Sequence, residues 1–141
     1  RCMAEMASPN VLIAKAQTIE RATKRARAAL AASASFYDDV DAQDVAVLNV
    51  IRACEATIDI GHHLIRALSL GFAANSTEAF AQLAKAEIID GTTSLNLSRM
   101  AGFRNIAVHD YVSLDYTLVV QIIVHGLDDI FAFSAAMVRR F

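Results

Sequence analysis

The sequence predicts an all-α fold, an up-and-down bundle of about five helices, on three observations. The 141 residues are 55% hydrophobic with only five glycines and one proline, a composition that favours helix and supplies enough apolar surface for a sizeable core. Apolar residues recur three and four apart rather than alternating, the spacing of one helix face. Residues of capping and turn type fall between the periodic stretches.

The elements follow in order. Residues 1–8 lack helical periodicity and position 1 is not Met, so they are expected to be a disordered tail or a cloning remnant. Pro9 then starts a helix, where its fixed φ and missing donor cost least, and Leu12, Ala16, Ile19, Ala26 and Leu30 continue it to about Ser33. Phe36 to Val40 reads as a loop. Asp41 is the expected N-cap of a long second helix to about Leu68, with Asp44 three residues on and a core stripe of Val47, Ile51, Cys54, Ile58 and Ile65. Gly71 and Asn75 mark the break after it. Ser76 or Thr77 caps a short third helix to about Glu87, Asp90-Gly91 reads as a turn, and Thr92 or Thr93 starts a fourth helix carrying Leu95, Leu97, Met100, Phe103, Ile106 and Val108. Ser113 or Asp115 precedes a fifth, Leu118 to Val138. Nothing repeats, and no linker divides residues 9–141, which are expected to form one domain.

Composition also bounds function. A formal charge of −2 argues against an overall electrostatic grip on nucleic acid, so any such contact must be local. Cys2 and Cys54 form neither a disulfide framework nor a metal-binding CxxC pair, and Cys54 reads as a small buried hydrophobe. The apolar stretch Leu118 to Leu127 falls short of the roughly 20 residues a membrane span needs, and no charged-then-apolar leader opens the chain. The expected setting is cytoplasmic and reduced, away from membranes.

The residues that carry chemistry cluster at 104–111: Arg104, Asn105, His109, Asp110 and Tyr111 at the end of the fourth helix. Arginine stays charged at physiological pH and can fork two donors onto phosphate oxygens. Histidine can give or take a proton near neutrality. Such a pair can cleave a phosphodiester with no metal and no cofactor. On a straight helix, positions five apart lie about 140° around the axis from each other, so Arg104 and His109 do not share a face, whereas Asn105 and His109 do. The long reach of arginine, a loosened last turn, or a second copy of the helix across a two-fold axis would bring the guanidinium to the imidazole.

The spacing Arg-x4-His-x-Tyr, preceded by Ala101-Gly102-Phe103, resembles the signature of the HEPN superfamily of helical ribonucleases, and within it the HepT toxins of HepT/MntA toxin–antitoxin pairs. The likeness extends over most of the chain, through the helix around Ile13 to Leu30 and the segment Val47 to Asp59. It implies a HEPN-like homodimer whose two motifs line one cleft, an isologous arrangement. It further implies an endoribonuclease toxin in which His109 moves the proton of a ribose 2′-OH or of the departing 5′ oxygen while Arg104 steadies the phosphorane, with Asn105 assisting. Tyr111 would be the residue to which an MntA-like nucleotidyltransferase antitoxin transfers AMP, placing bulk and negative charge where RNA must bind. The alternative is a catalytically inactive helical module that docks a nucleotidyltransferase or a nucleotide.

Other polar residues have simpler readings beside functional ones. Arg52, Glu55 and Asp59 stand at i, i+3 and i+7 of an apolar helix; they either pair on the helix surface or support the motif, with Glu55 or Asp59 positioning Arg104 or His109. His62 and His63 point about 100° apart, which suits no shared metal. His125 is expected to pack or to pair within the last helix, where Asp128 and Asp129 lie three and four residues on. Arg21, Lys24, Arg25 and Arg27 read as a solvated basic face. No Glu-x-x-His pair and no glycine-rich phosphate loop is present, which removes the usual footholds of oxidoreductases and nucleotide hydrolases.

Overall fold

A computed structural model describes residues 8–141 as five helices. Cys2 and residues 1–7 of the expected tail lie outside the described residues. Ser8, assigned by sequence to that tail, is the N-cap of the first helix: its side chain accepts from Val11 N, and its own N–H donates to His63 Nε2 at 3.1 Å. Helix α1 runs Pro9–Ala32, α2 Val40–Ala67, α3 Ser76–Lys85 and α4 Gly91–His109. The last helix, α5, is one rod over Tyr116–Arg140.

The caps fall one or two residues from their expected places, because side-chain oxygen geometry selects among neighbouring candidates. Asp39, not Asp41, caps α2 by accepting from Ala42 N, and this bond together with one from Ser33 holds its carboxyl below the ordinary carboxylate value. Asn75 caps α3 and Asp90 caps α4, so Asp90-Gly91 is a helix start rather than a free turn. The expected loop at 36–40 holds a 3₁₀ turn, Phe36–Asp38, whose Phe36 ring is buried.

Both α2 and α3 end by reversing through a residue with positive φ, closed by a six-residue bond typical of such C-termini. The residue is not glycine in either case. Ser69 has φ 54° with Leu70 N donating to Ile65 O, and Glu87 has φ 61° with Ile88 N donating to Leu83 O. A left-handed conformation costs a side-chain-bearing residue about 1 kcal/mol or more. Glu87→Gly is therefore expected to raise unfolding stability by about 0.5–1 kcal/mol, offset in part by the greater chain entropy of glycine; a urea midpoint that falls instead would show that Glu87 itself holds the reversal.

Helix α2 is the hub, packing on α1, α4, α3 and α5. Its buried face is Ala46, Val47, Val50, Ala53, Cys54, Ala56, Ile60, Leu64 and Ile65. Ile51 and Ile58 of the expected stripe lie only partly buried at its margin. Burial pushes the Cys54 thiol up to about 12, so it stays protonated as a core side chain.

Helix α5 is longer than its sequence suggests. Its 25 residues are long and apolar enough to cross a bilayer by length and composition, correcting the shorter stretch read from Leu118 to Leu127. Packing gives that apolar character another cause: Val119, Ile122, Ile123, Leu127, Ile130, Phe133 and Met137 are buried in the core. The rod contains a π-helical turn at Ile122–Gly126. There Arg27 from α1 donates through Nε to Ile123 O at 3.2 Å and through a terminal nitrogen to Asp128 at 2.7 Å. A widened turn leaves carbonyls poorly paired along the helix, and Arg27 caps one. Asp128 is thereby taken by Arg27 rather than by His125, which is exposed.

Candidate active site

Helix α4 carries apolar residues beyond its core face. Leu97, Met100, Ala101, Phe103 and Ala107 face the core, while Leu95, Ile106 and Val108 are exposed. A cavity of about 490 Å³ runs between α4 and α5, lined by Arg99, Met100, Phe103, Ile106, Leu118 and Ile122 among others. Gly126 lets the two helices approach, since a Cβ there would meet Met100 Sδ at 3.0 Å.

The motif closes this helix. Asp110 N donates to Ile106 O at 2.8 Å, an ordinary α-helical bond, so the helix keeps its winding through His109. The last turn is not loosened, and the angular offset between Arg104 and His109 stands. His109 and Asn105 are exposed and one turn apart on the same face. Arg104 is half-buried, its side chain 30% exposed, and 3.7 Å separates its Nε from Glu55 Oε1 on α2. That distance makes an ion pair but is too long for a hydrogen bond, and Nε has no other partner. One terminal nitrogen of Arg104 donates to Asn105 Oδ1 at 3.2 Å. Of the five N–H donors a guanidinium carries, this is the single hydrogen bond it makes among the described residues.

Asn105 thus sits between the two: its oxygen steadies Arg104 and its backbone position lies one turn before His109. Glu55 reaches Arg104 from α2, whereas Asp59, read beside it as a second support, instead pairs with Lys15 on α1 at 2.8 Å. The seven-residue spacing of Arg52 and Asp59 turns both toward α1; Glu55, three residues after Arg52, is turned toward α4. The basic run on α1 is likewise divided: Lys24 pairs with Glu20 and Arg27 with Asp128, while Arg21 and Arg25 line a cleft of about 210 Å³ with Arg52 and Asn49.

Tyr111 lies two residues beyond His109 in a 3₁₀ turn, Tyr111–Ser113, and is 37% exposed. Its hydroxyl donates to Asp44 Oδ1 in the second turn of α2. Burial and the Asp44 carboxylate raise the phenol well above its ordinary value, so it holds its proton. Sequence reading placed Asp44 only as an acidic residue near a helix start. No local signal could have paired it with a tyrosine 67 positions away.

The half-buried guanidinium has unspent donors that can hold a phosphate, and the exposed imidazole can move a proton, but on one regular helix the two groups point apart. Comparisons with known proteins give the family. A family model described as ribonuclease HepT-like matches residues 19–137. The chain is 40% identical over 120 residues to the mRNA nuclease HepT of Shewanella oneidensis, covering 85% of this chain and 90% of that protein. A crystal structure of a toxin–antitoxin with AMP-PNP matches at a TM-score of 0.85 and 38% identity, over 90% of this chain and 96% of that one. A tri-AMPylated HEPN toxin of Shewanella oneidensis in complex with MNT antitoxin matches at a TM-score of 0.84 and 39% identity, over 89% and 95% of the two chains.

Proposed function

The chain belongs to the ribonuclease HepT-like family, and from that premise we propose that it is an endoribonuclease toxin of a toxin–antitoxin system, with residues 9–141 acting as one helical unit. The observation that carries the reading is Arg104: half-buried, fixed by Glu55 and Asn105, and left with donors to spare on the helix that ends in an exposed His109.

In the proposed reaction His109 takes the proton of a ribose 2′-OH as that oxygen attacks the adjacent phosphorus, or returns one to the departing 5′ oxygen. Arg104 offers two parallel N–H donors to the non-bridging oxygens as charge gathers there. The imidazole and guanidinium supply the proton transfer and charge stabilisation for which a nuclease otherwise recruits a metal. Products end in a 2′,3′-cyclic phosphate, and DNA is refused for want of the attacking hydroxyl. The test is incubation of the purified chain with cellular RNA in EDTA. Fragments with cyclic-phosphate ends support the reading; intact RNA favours the inactive docking module instead.

A homodimer completes the site. Arg104 and His109 point apart on a regular helix, and α4 exposes Leu95 and Ile106 on one face and Val108 on another. A second copy of the chain paired across the end of α4 would bring one Arg104 toward the other His109.

Glu55 serves as a positioning residue. A half-exposed ion pair is worth at most about 1 kcal/mol, so Glu55→Gln is expected to slow cleavage by less than about fivefold. A much larger loss would mean that Glu55 takes part in proton transfer.

For regulation, the partner is an MntA-like nucleotidyltransferase antitoxin, in keeping with the AMPylated toxin and MNT antitoxin of the solved relative. Tyr111 is the acceptor we assign: its phenol is reachable at the motif's edge, and an AMP group there sets negative phosphate beside Arg104 and His109, competing with RNA for both.

A further inference from the structure

We propose that Asp44 of this chain is the proton acceptor for modification of its own Tyr111, so that the acceptor protein, and not only the transferring enzyme, supplies a catalytic group for adenylyl transfer. The inference rests on the reading of Tyr111 as the modified residue and adds what that reading leaves open, namely where the phenolic proton goes.

The geometry is specific. Asp44 projects from the second turn of α2 and accepts the Tyr111 hydroxyl across 67 positions of sequence. Asp44 is exposed and makes no ion pair among the described residues, so its carboxylate is free to take up a proton and to release it to water. Tyr116, at the start of α5, is the other ionisable group that bears on the phenol. Free tyrosine is a poor nucleophile near neutrality because almost none of it is ionised, and the surroundings of Tyr111 suppress ionisation further. The proton must therefore leave as the bond to phosphorus forms. Protein kinases meet the same requirement with an aspartate that accepts the proton of the substrate hydroxyl.

The Tyr111 oxygen attacks the α-phosphorus of a nucleoside triphosphate carried by the partner enzyme, the bond from that phosphorus to the bridging oxygen breaks, and pyrophosphate leaves. The phenolic proton passes to Asp44 Oδ1. The product is an adenylyl ester on Tyr111 and a neutral Asp44, which then ionises to solvent.

Asp44→Asn separates this role from simple positioning, because asparagine keeps the size and an oxygen that accepts the Tyr111 hydroxyl but is not basic. With full-length chain, an MntA-like nucleotidyltransferase and MgATP, intact mass spectrometry reads the initial rate of the first adenylyl increment. The variant is expected to be slowed by about 10²-fold, within the usual range for loss of a general base. Its residual rate is expected to climb toward tenfold per pH unit as the phenol ionises unaided, while the wild-type rate is flatter. Asp44→Glu, which restores a carboxylate, is expected to recover part of the loss. An Asp44→Asn variant modified at the wild-type rate and with the wild-type pH profile would overturn the role of Asp44 alone. A wild-type chain that gains no mass beyond that of a Tyr111→Phe control would instead overturn the modification reading, and this assignment with it.

Discussion

His109→Ala is expected to lower RNA cleavage by about 10²–10⁴-fold, the usual contribution of a positioned general acid or base. The imidazole is exposed at the end of α4 and makes no hydrogen bond within the chain among the described residues, so folding should be affected by no more than the few tenths of a kcal/mol typical of surface substitutions. The loss would therefore be one of chemistry rather than of structure. Arg104→Ala should be comparably severe, since it removes the charge that meets the developing phosphorane. It should also weaken RNA binding, because ground-state phosphate is held by the same donors. The two effects should not add in the double variant, as each residue is useful only while the other is in place. Single-turnover cleavage of a short RNA in EDTA, with circular dichroism to certify folding, makes the comparison. Retention of more than about a tenth of the activity by His109→Ala would remove the imidazole from the reaction.

The largest stability effect is expected at Phe80 on α3. This ring is fully buried, meets Phe133 of α5 edge to face with centroids 6.2 Å apart, and lies directly over Gly61 of α2. A Cβ on residue 61 would stand 3.0 Å from the ring, so the glycine is what admits it. With only 10 residues, α3 is too short to persist as an isolated helix and is held by Phe80, Ala79 and Leu83. Phe80→Ala should cost about 3–5 kcal/mol through lost burial and the cavity left between three helices, and lower the melting temperature by roughly 10–20 °C at this chain length. A loss under about 1.5 kcal/mol in urea unfolding would mean that α3 collapses onto Gly61 and fills the space.

The sequence alone reaches His109 and Phe80 to different depths. The motif, its residue types and its place at the end of the fourth helix are legible, as is the offset of about 140° between Arg104 and His109. Phe80 is not distinguished by sequence, because spacing marks an apolar face on a short helix without saying which of its side chains lies deepest. Leu95, Ile106 and Val108 fitted a helical pattern with the core residues of α4, yet they face outward. Periodicity reports that a side chain is apolar and helical; it does not report whether a neighbour covers it. Asp59 and Glu55 looked equivalent as supports for the motif. A rotation of a few tens of degrees about α2 sends one to Lys15 and the other to Arg104.

What the sequence by itself determined is the set of helices and the chemistry each carries. A helix is closed by bonds between residues four apart, and side-chain spacing along it is fixed by the same winding, so both are written in local order. What only the tertiary structure decided is which groups meet across helices: Glu55 with Arg104, Arg27 with the π-turn of α5, and Tyr111 with Asp44. Those contacts depend on how rigid rods settle to fill one core, and no spacing within a single rod contains that information.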